Sequence, residues 1–294
     1  MLCRILAILA LASSAFAQNT PAQNNGGVPR NPDWFKPFPP FKIIGNIYWV
    51  GTYDLSTYLI TTPQGNILIN TGFVDTVPQI KEGVEKLGFK LSDTKIIMAT
   101  HGHIDHVAGV AELKRQTHAK VIVSEQDAVL LEDGGKSDFR FGDGVHTQFE
   151  PVKVDQRLKN GDKVTLGGVE ITAHHDPGHT KRATSYTLTV KEGGKDYRVI
   201  IANMPSINPG VKVSGMSKYP DIANDYARSF HDMKEMQIDV YLASHAAQFK
   251  MHDKYKPGDP YDPNRFVDPK GFRAELDRLE KLYRDQLAQE QVKK

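Results

Sequence analysis

Over 294 residues, 37 Lys and Arg face 35 Asp and Glu, and a single cysteine is present. So balanced a charge, without basic runs, excludes the concentrated cationic face that nucleic-acid binding requires. The lone Cys3 lies at the very start, which excludes disulfides and thiolate metal sites from the rest of the chain.

Residues 1–17 read as a cleaved export signal. Arg4 supplies the positive start, Ile5 to Ala12 the apolar run, and Ala15-Phe16-Ala17 the small-residue cleavage site before Gln18. That run is too short to cross a bilayer. A periplasmic protein with no membrane attachment is therefore expected, with 36 basic residues against 35 acidic ones once Arg4 is gone. Residues 18–40, rich in Pro, Asn and Gly, read as a flexible arm, and residues 41–294 as one large domain, expected to be monomeric.

Within the domain, β-rich runs at Lys42–Val50, Ser56–Thr62 and Asn66–Asn70 precede a helix over Val77–Leu87. Lys95–Ala99 is a buried-type strand, followed by a helix over His106–Gln116, a strand at Lys120–Val123 and a short helix over Asp127–Leu131. The order recurs after Gly161: strands Lys163–Leu166, Val169–Ala173, Ser185–Val190 and Arg198–Ala202, helix Asn224–Met233, strand Val240–Ala243. Phe272, Leu276, Leu279, Tyr283 and Leu287 form the apolar stripe of a last helix. Two halves that each place helices outside a mixed sheet predict an α/β fold, a four-layer αββα sandwich.

The stretch Thr100-His101-Gly102-His103-Ile104-Asp105-His106 follows a strand and carries four potential metal ligands. Side chains two apart on extended backbone face the same way, so His101 and His103 can grip one ion. Asp105 and His106 lie where the chain turns into a helix and suit a second, neighbouring ion. His179, in Asp176-Pro177-Gly178-His179-Thr180, stands after a strand and a turn as a third ligand for the first ion. His245 ends another strand and is a candidate to complete the second. Imidazole and carboxylate donors suit zinc, and two ions about 3.5–4 Å apart can share an activated water.

On these residues the chain resembles the metallo-β-lactamase superfamily, from about Phe41 to Leu287, and within it the third subclass. Gly51-Thr52 with Asp54-Leu55, Phe141-Gly142-Asp143-Gly144 and Pro257-Gly258-Asp259 also match. The resemblance implies two Zn²⁺ ions, one on His101, His103 and His179, the other on Asp105, His106 and His245. It makes residues 41–294 a catalytic domain and the activity hydrolysis of the β-lactam amide by a zinc-bound hydroxide that Asp105 orients. The implied partner is a small molecule. Other subclasses place a cysteine, and glyoxalase-II-like relatives an aspartate, after the strand Arg198–Ala202; here Met204 stands at or near that position, which supports His245 as the ligand instead.

For the substrate carboxylate, Ser206 and then Lys181 with Arg182 are candidates, with Tyr53 and Phe141 as apolar walls and Thr180 as a hydrogen bonder behind the ligands. Asn70 departs from the aspartate usual in this superfamily. It keeps a hydrogen bond without the charge, so a lower zinc affinity is expected. Alternatives within the fold are a lactonase or a thioesterase, and outside catalysis a zinc-binding pseudoenzyme.

Overall fold

Alternation of apolar side chains along three strands fixes the layering. The computed structural model describes residues 31–292; the segment read as an export signal and residues 18–30 lie outside the described residues. Strands β1 (Phe41–Ile44), β2 (Ile47–Trp49), β3 (Tyr58–Thr62), β4 (Gly65–Ile69), β5 (Thr94–Met98), β6 (Lys120–Ser124) and β7 (Gln156–Leu158) form one sheet in that spatial order. Its first four strands are an antiparallel meander; the rest are parallel. Ile67, Ile69, Ile96, Met98 and Ile122 belong to the core between the sheets, whereas Leu68, Ile97, Val121 and Val123, one residue out of phase, belong to a second core. That second core is closed by helices α1 (Val77–Lys86), α3 (Val110–Thr117) and α4 (Glu125–Asp133), with the single turn α2 (Ile104–Val107) between the first two.

Strands β8 (Lys163–Leu166), β9 (Val169–His175), β10 (Thr184–Glu192), β11 (Lys195–Ala202) and β12 (Val240–Ala243) form the second sheet, in the order β12-β11-β10-β9-β8. Gly193 and Gly194, both at positive φ, make the two-residue turn between β10 and β11, so Glu192 pairs with Lys195. Helix α5 (Ile222–Glu235), the short α6 (Met251–Lys254) and α7 (Pro269–Val292) complete the chain, with α5 and α7 packed together on this side. Phe272, Leu276, Leu279 and Tyr283 of α7 are buried and Leu287 packs at their edge. Truncating a fully buried leucine such as Leu276 costs about 2–5 kcal/mol. The layers run helix, sheet, sheet, helix, the expected αββα sandwich.

Two expected elements differ, and one strand goes beyond the expectation. Lys42–Val50 is a hairpin, not one strand: Gly45 takes φ 55 and its N–H donates to the Glu192 carboxylate at 2.9 Å. The helix expected over His106–Gln116 breaks at Gly109. The His106 carbonyl accepts from Thr71 N and Thr71 Oγ1, and Gly109 N donates to Gly72 O, so the bonds that would continue the helix go to the loop after β4. A side chain at Gly109 would meet the Thr71 carbonyl. The three-residue β7, mostly exposed, carries too little pattern to be read. From residue 31 the segment read as an arm packs on the domain: Asn31 caps a turn at Pro32–Trp34, and Trp34 and Phe35 pack against the cluster of Leu55, Phe73, Ile104 and Ala108.

Candidate metal centre

The six expected ligands sit on three loops at strand ends, all on one rim of the two sheets. The bent loop after β5 carries His101 and His103, and His103, itself extended, caps α2, whose first turn holds Asp105 and His106. His179 lies in the β9–β10 turn. That turn needs glycine at 178, where φ is 132 and a Cβ would press into the Tyr226 ring at 2.7 Å. His245 follows β12, and its neighbour Ser244 donates to Thr100 Oγ1 at 2.9 Å, joining this end to the histidine loop.

The imidazoles of His101, His103 and His179 converge with ring centroids 4.6–4.9 Å apart, and one ligand atom from each lies within 4.8 Å of the others. His106 Nε2 lies 3.2 Å from His245 Nε2 and 3.2 Å from Asp105 Oδ2, and His245 Nε2 lies 3.5 Å from that oxygen. Tetrahedral ligands at about 2.0–2.1 Å from zinc stand roughly 3.3 Å apart, so this second triad has the edge lengths of a zinc polyhedron. The triads abut, since His101 also groups with Asp105 and His106. His101, His103, Asp105 and His106 are buried, and His106 Nδ1 has no hydrogen-bond partner among the described residues. A nitrogen- and oxygen-rich donor set without sulfur fits zinc.

His106 apart, each ring is oriented by the atom its other nitrogen meets. His179 Nδ1 donates to the Ser206 carbonyl at 2.8 Å, which also accepts from the Tyr226 hydroxyl. His245 Nδ1 donates to Asp54 Oδ2 at 2.9 Å. His103 Nε2 faces Asp138 Oδ2 at 3.3 Å, leaving Nδ1 for the cluster, and His101 Nδ1 lies 3.4 Å from Thr100 Oγ1. Such partners fix the tautomer and raise ligand basicity. Burial drives His101, His106 and His179 towards the neutral, ligating form, His179 to about 3. Burial also disfavours charge on His245, but the Asp105 and Asp54 carboxylates outweigh it and carry that imidazole up to about 9. Burial opposes ionisation of Asp138, yet His103 and the N–H groups of Phe141 and Arg140 hold its carboxyl down at about 2.

A cavity of about 540 Å³ opens over the cluster, bordered by His101, His103, Asp105, His179 and His245 together with Trp34, Phe141, Met204, Ser206 and Gln248, among others. Ser206 and Phe141, read as substrate contacts, border it. Tyr53 and Lys181 do not, which corrects both expectations. Residues 36–38 occupy the face of Tyr53: its ring stacks on His252 at 3.8 Å and lies under Lys36 Nζ at 3.9 Å. Lys181 borders a separate cleft of about 170 Å³ with Asp127, Asp138 and Phe139. Thr180 Oγ1 donates to Asp127 Oδ1 at 3.2 Å, so it ties the His179 turn to α4. Asn70, fully buried at φ 64, accepts from both Thr100 N and Thr100 Oγ1. Asp138, Arg140 and Trp34 carry no signal in the sequence, and Asp54 enters only through a matching stretch, without a role; it and its histidine are 191 positions apart, a separation that leaves no local signal.

The profile of the metallo-β-lactamase superfamily matches residues 51–188. The class B3 di-zinc metallo-β-lactamase LRA-12 from an Alaskan soil metagenome is 48% identical, superposes with a TM-score of 0.85, and is matched over 97% of its length by 88% of this chain. A β-lactamase from Chitinophaga pinensis is 45% identical with the same coverage and TM-score. A hydroxyacylglutathione hydrolase of Rhodopseudomonas palustris (strain HaA2) is 32% identical over 131 residues, 45% of this chain and 42% of that relative, so the chain spans under half of that relative's length. The chain belongs to the metallo-β-lactamase superfamily, and within it resembles the class B3 enzymes.

Proposed function

We propose that the chain is a zinc-dependent β-lactamase, with His101, His103 and His179 holding one ion and Asp105, His106 and His245 the other. The observation that carries this reading is the pair of abutting triads on the cavity floor, the second with edges of 3.2–3.5 Å. Bound zinc supplies Lewis acidity and lowers the pKa of water to near neutrality. The protein supplies the rest. Asp105 places a carboxylate at the junction of the triads. Burial favours the neutral form of His101, His106 and His179, while Asp54, Asp138 and the Ser206 carbonyl aim His245, His103 and His179. Ser206, whose Oγ lies 3.3 Å from His179 Nδ1, offers a hydroxyl to the substrate on the cavity wall. Phe141 and Trp34 flank the opening with apolar surface that takes the body of a bicyclic lactam. Met204, buried on the same wall, offers neither thiolate nor carboxylate, in keeping with His245 as the sixth ligand. A periplasmic location, expected from residues 1–17, would put the enzyme where β-lactams act. No helix among the described residues is long and apolar enough to cross a membrane.

Hydrolysis of a cephalosporin and a carbapenem, measured beside an acyl-lactone and a hydroxyacyl-glutathione thioester, tests the assignment. Lactam turnover that a chelator abolishes and added zinc restores is expected. Turnover of the thioester or lactone with the lactams untouched would sink it.

A further inference from the structure

Arg140 is the one permanently cationic side chain among the described residues that border the cavity, and the metal cluster makes no use of it. Its backbone N–H and that of Phe141 both donate to Asp138 Oδ1, at 2.8 and 2.6 Å, and Asp138 turns its other oxygen to His103. From the opposite wall, the Pro209 carbonyl accepts from Arg140 Nε at 2.8 Å. Gly210, at φ 81, leaves room for the guanidinium, since a Cβ there would lie 2.8 Å from Nη2. The guanidinium carbon stands 5.0 Å from the Phe141 ring, and that ring stands 5.2 Å from the ring of His103.

The head group is thus pinned at Nε while both Nη atoms, among the described residues, have no hydrogen-bond partner and no carboxylate to pair with. A half-buried guanidinium with a free pair of N–H donors matches a carboxylate in shape and charge. We propose that Arg140 is the specificity-determining residue that binds the ring carboxylate of the substrate, the role for which Lys181 lies in the wrong cleft. The proposal rests on the β-lactamase reading above. Ser206 stands three residues before Pro209 on the same loop and adds a neutral hydroxyl, while Arg140 supplies the charge. A substrate without an anionic group is then selected against at this wall.

The test uses the zinc-loaded enzyme and two matched substrates, a cephalosporin with its ring carboxylate free and the same compound as its methyl ester. Arg140→Ala is expected to lower the acid-over-ester ratio of kcat/KM by about 10- to 100-fold, the size of a lost charge-assisted hydrogen bond, and to do so through KM. Arg140→Lys, which keeps the charge without the fork, is expected to recover part of the ratio. Gly210→Ala, which displaces the guanidinium and leaves Arg140 in the chain, is expected to fall between them. A ratio unchanged in Arg140→Ala overturns the proposal. Binding read from Trp34 fluorescence separates this from failure of the parent reading, because Trp34 borders the cavity while the other tryptophan, Trp49, is fully buried. Arg140-dependent binding of the acid by a protein that turns over neither compound would end the β-lactamase reading and keep the anion subsite; binding of acid and ester that Arg140→Ala weakens equally, or no binding of either, would end the subsite.

Discussion

The two halves of the sandwich supply the candidate centre in opposite ways. The seven-stranded half gives His101, His103, Asp105 and His106 from one short stretch, so local chain geometry aims them. The five-stranded half gives His179 and His245 singly, from loops far apart in sequence, and only packing brings them in. Their supports also differ. His179 leans on the neutral Ser206 carbonyl of its own half, whereas His245 leans on a carboxylate, Asp54, from the other. Asp54 also accepts from Trp34 Nε1 at 3.1 Å and from Ala247 N at 3.0 Å, so one side chain joins the N-terminal segment, the first half and the last ligand loop. A contiguous loop can place four donors; placing the other two depends on bonds across the seam.

The largest effect should come from the two solitary ligands. His179→Ala and His245→Ala are each expected to lower lactam kcat/KM on the order of 10³-fold, the loss of several kcal/mol of charge stabilisation. Each should reduce bound zinc from two ions to one by native mass spectrometry. Two tightly held ions in either variant would break the division into triads. Next come the carboxylates behind the rings. Asp54→Asn and Asp138→Asn are expected to weaken zinc by about 10- to 100-fold, the first at the His245 site and the second at the His103 site, read in competition titrations with a chromophoric chelator. Equal loss at both sites from either variant would show that the supports act on the cluster as a whole.

Much of this was legible in the sequence because it is local. The HxHxDH stretch, the glycine-turn before His179 and the alternation of β4 to β6 each announce themselves within a few residues. What could not be read is set by contact. The break at Gly109 exists because Thr71 takes the His106 carbonyl, and nothing in the stretch 106–116 records that. Tyr53 looked like a groove wall until residues 36–38 were seen to cover it. Lys181 follows the ligand His179 by two positions, yet the turn after Thr180 carries it into the cleft behind Asp138.

Smaller effects sharpen the contrast between carboxyl groups that face an imidazole and those that do not. Asp54 and Asp138, each beside a histidine, are held below the ordinary carboxylate range despite burial. Asp176, at the base of the His179 turn, accepts from the N–H and hydroxyl of Ser185 and faces no imidazole among the described residues, and burial, with the charge of Asp232, pushes it up to about 7. The unfolded group titrates near 3.8. Between those values the native state keeps a proton that the unfolded state has released, so stability falls as pH rises through that window and levels off above it. Asp176→Asn removes the titration, and its Tm should gain several degrees on the parent between about pH 4 and about pH 8. Parallel Tm profiles would show that Asp176 is ionised in the native state like its imidazole-paired counterparts.

Asn70 is the mildest case and the one where charge and geometry part. Its Oδ1 accepts from Thr100 N at 2.9 Å and Thr100 Oγ1 at 3.1 Å, and that hydroxyl stands 3.4 Å from His101 Nδ1. Asparagine tolerates the φ of 64 at this position, and aspartate would tolerate it as well. Asn70→Asp therefore keeps both acceptor bonds and adds a negative charge one hydroxyl removed from a ligand ring. Relayed through Thr100, the gain in zinc affinity should stay below about tenfold. The same charge, fully buried and paired with no cation until metal binds, should lower the Tm of the metal-free protein. Higher affinity with lower metal-free stability is the expected pair of outcomes, from one zinc competition titration and one thermal melt. Unchanged affinity with the stability loss would mean that the asparagine serves the fold of the loop alone, and that the charge of the aspartate usual at this position is not felt at the metal.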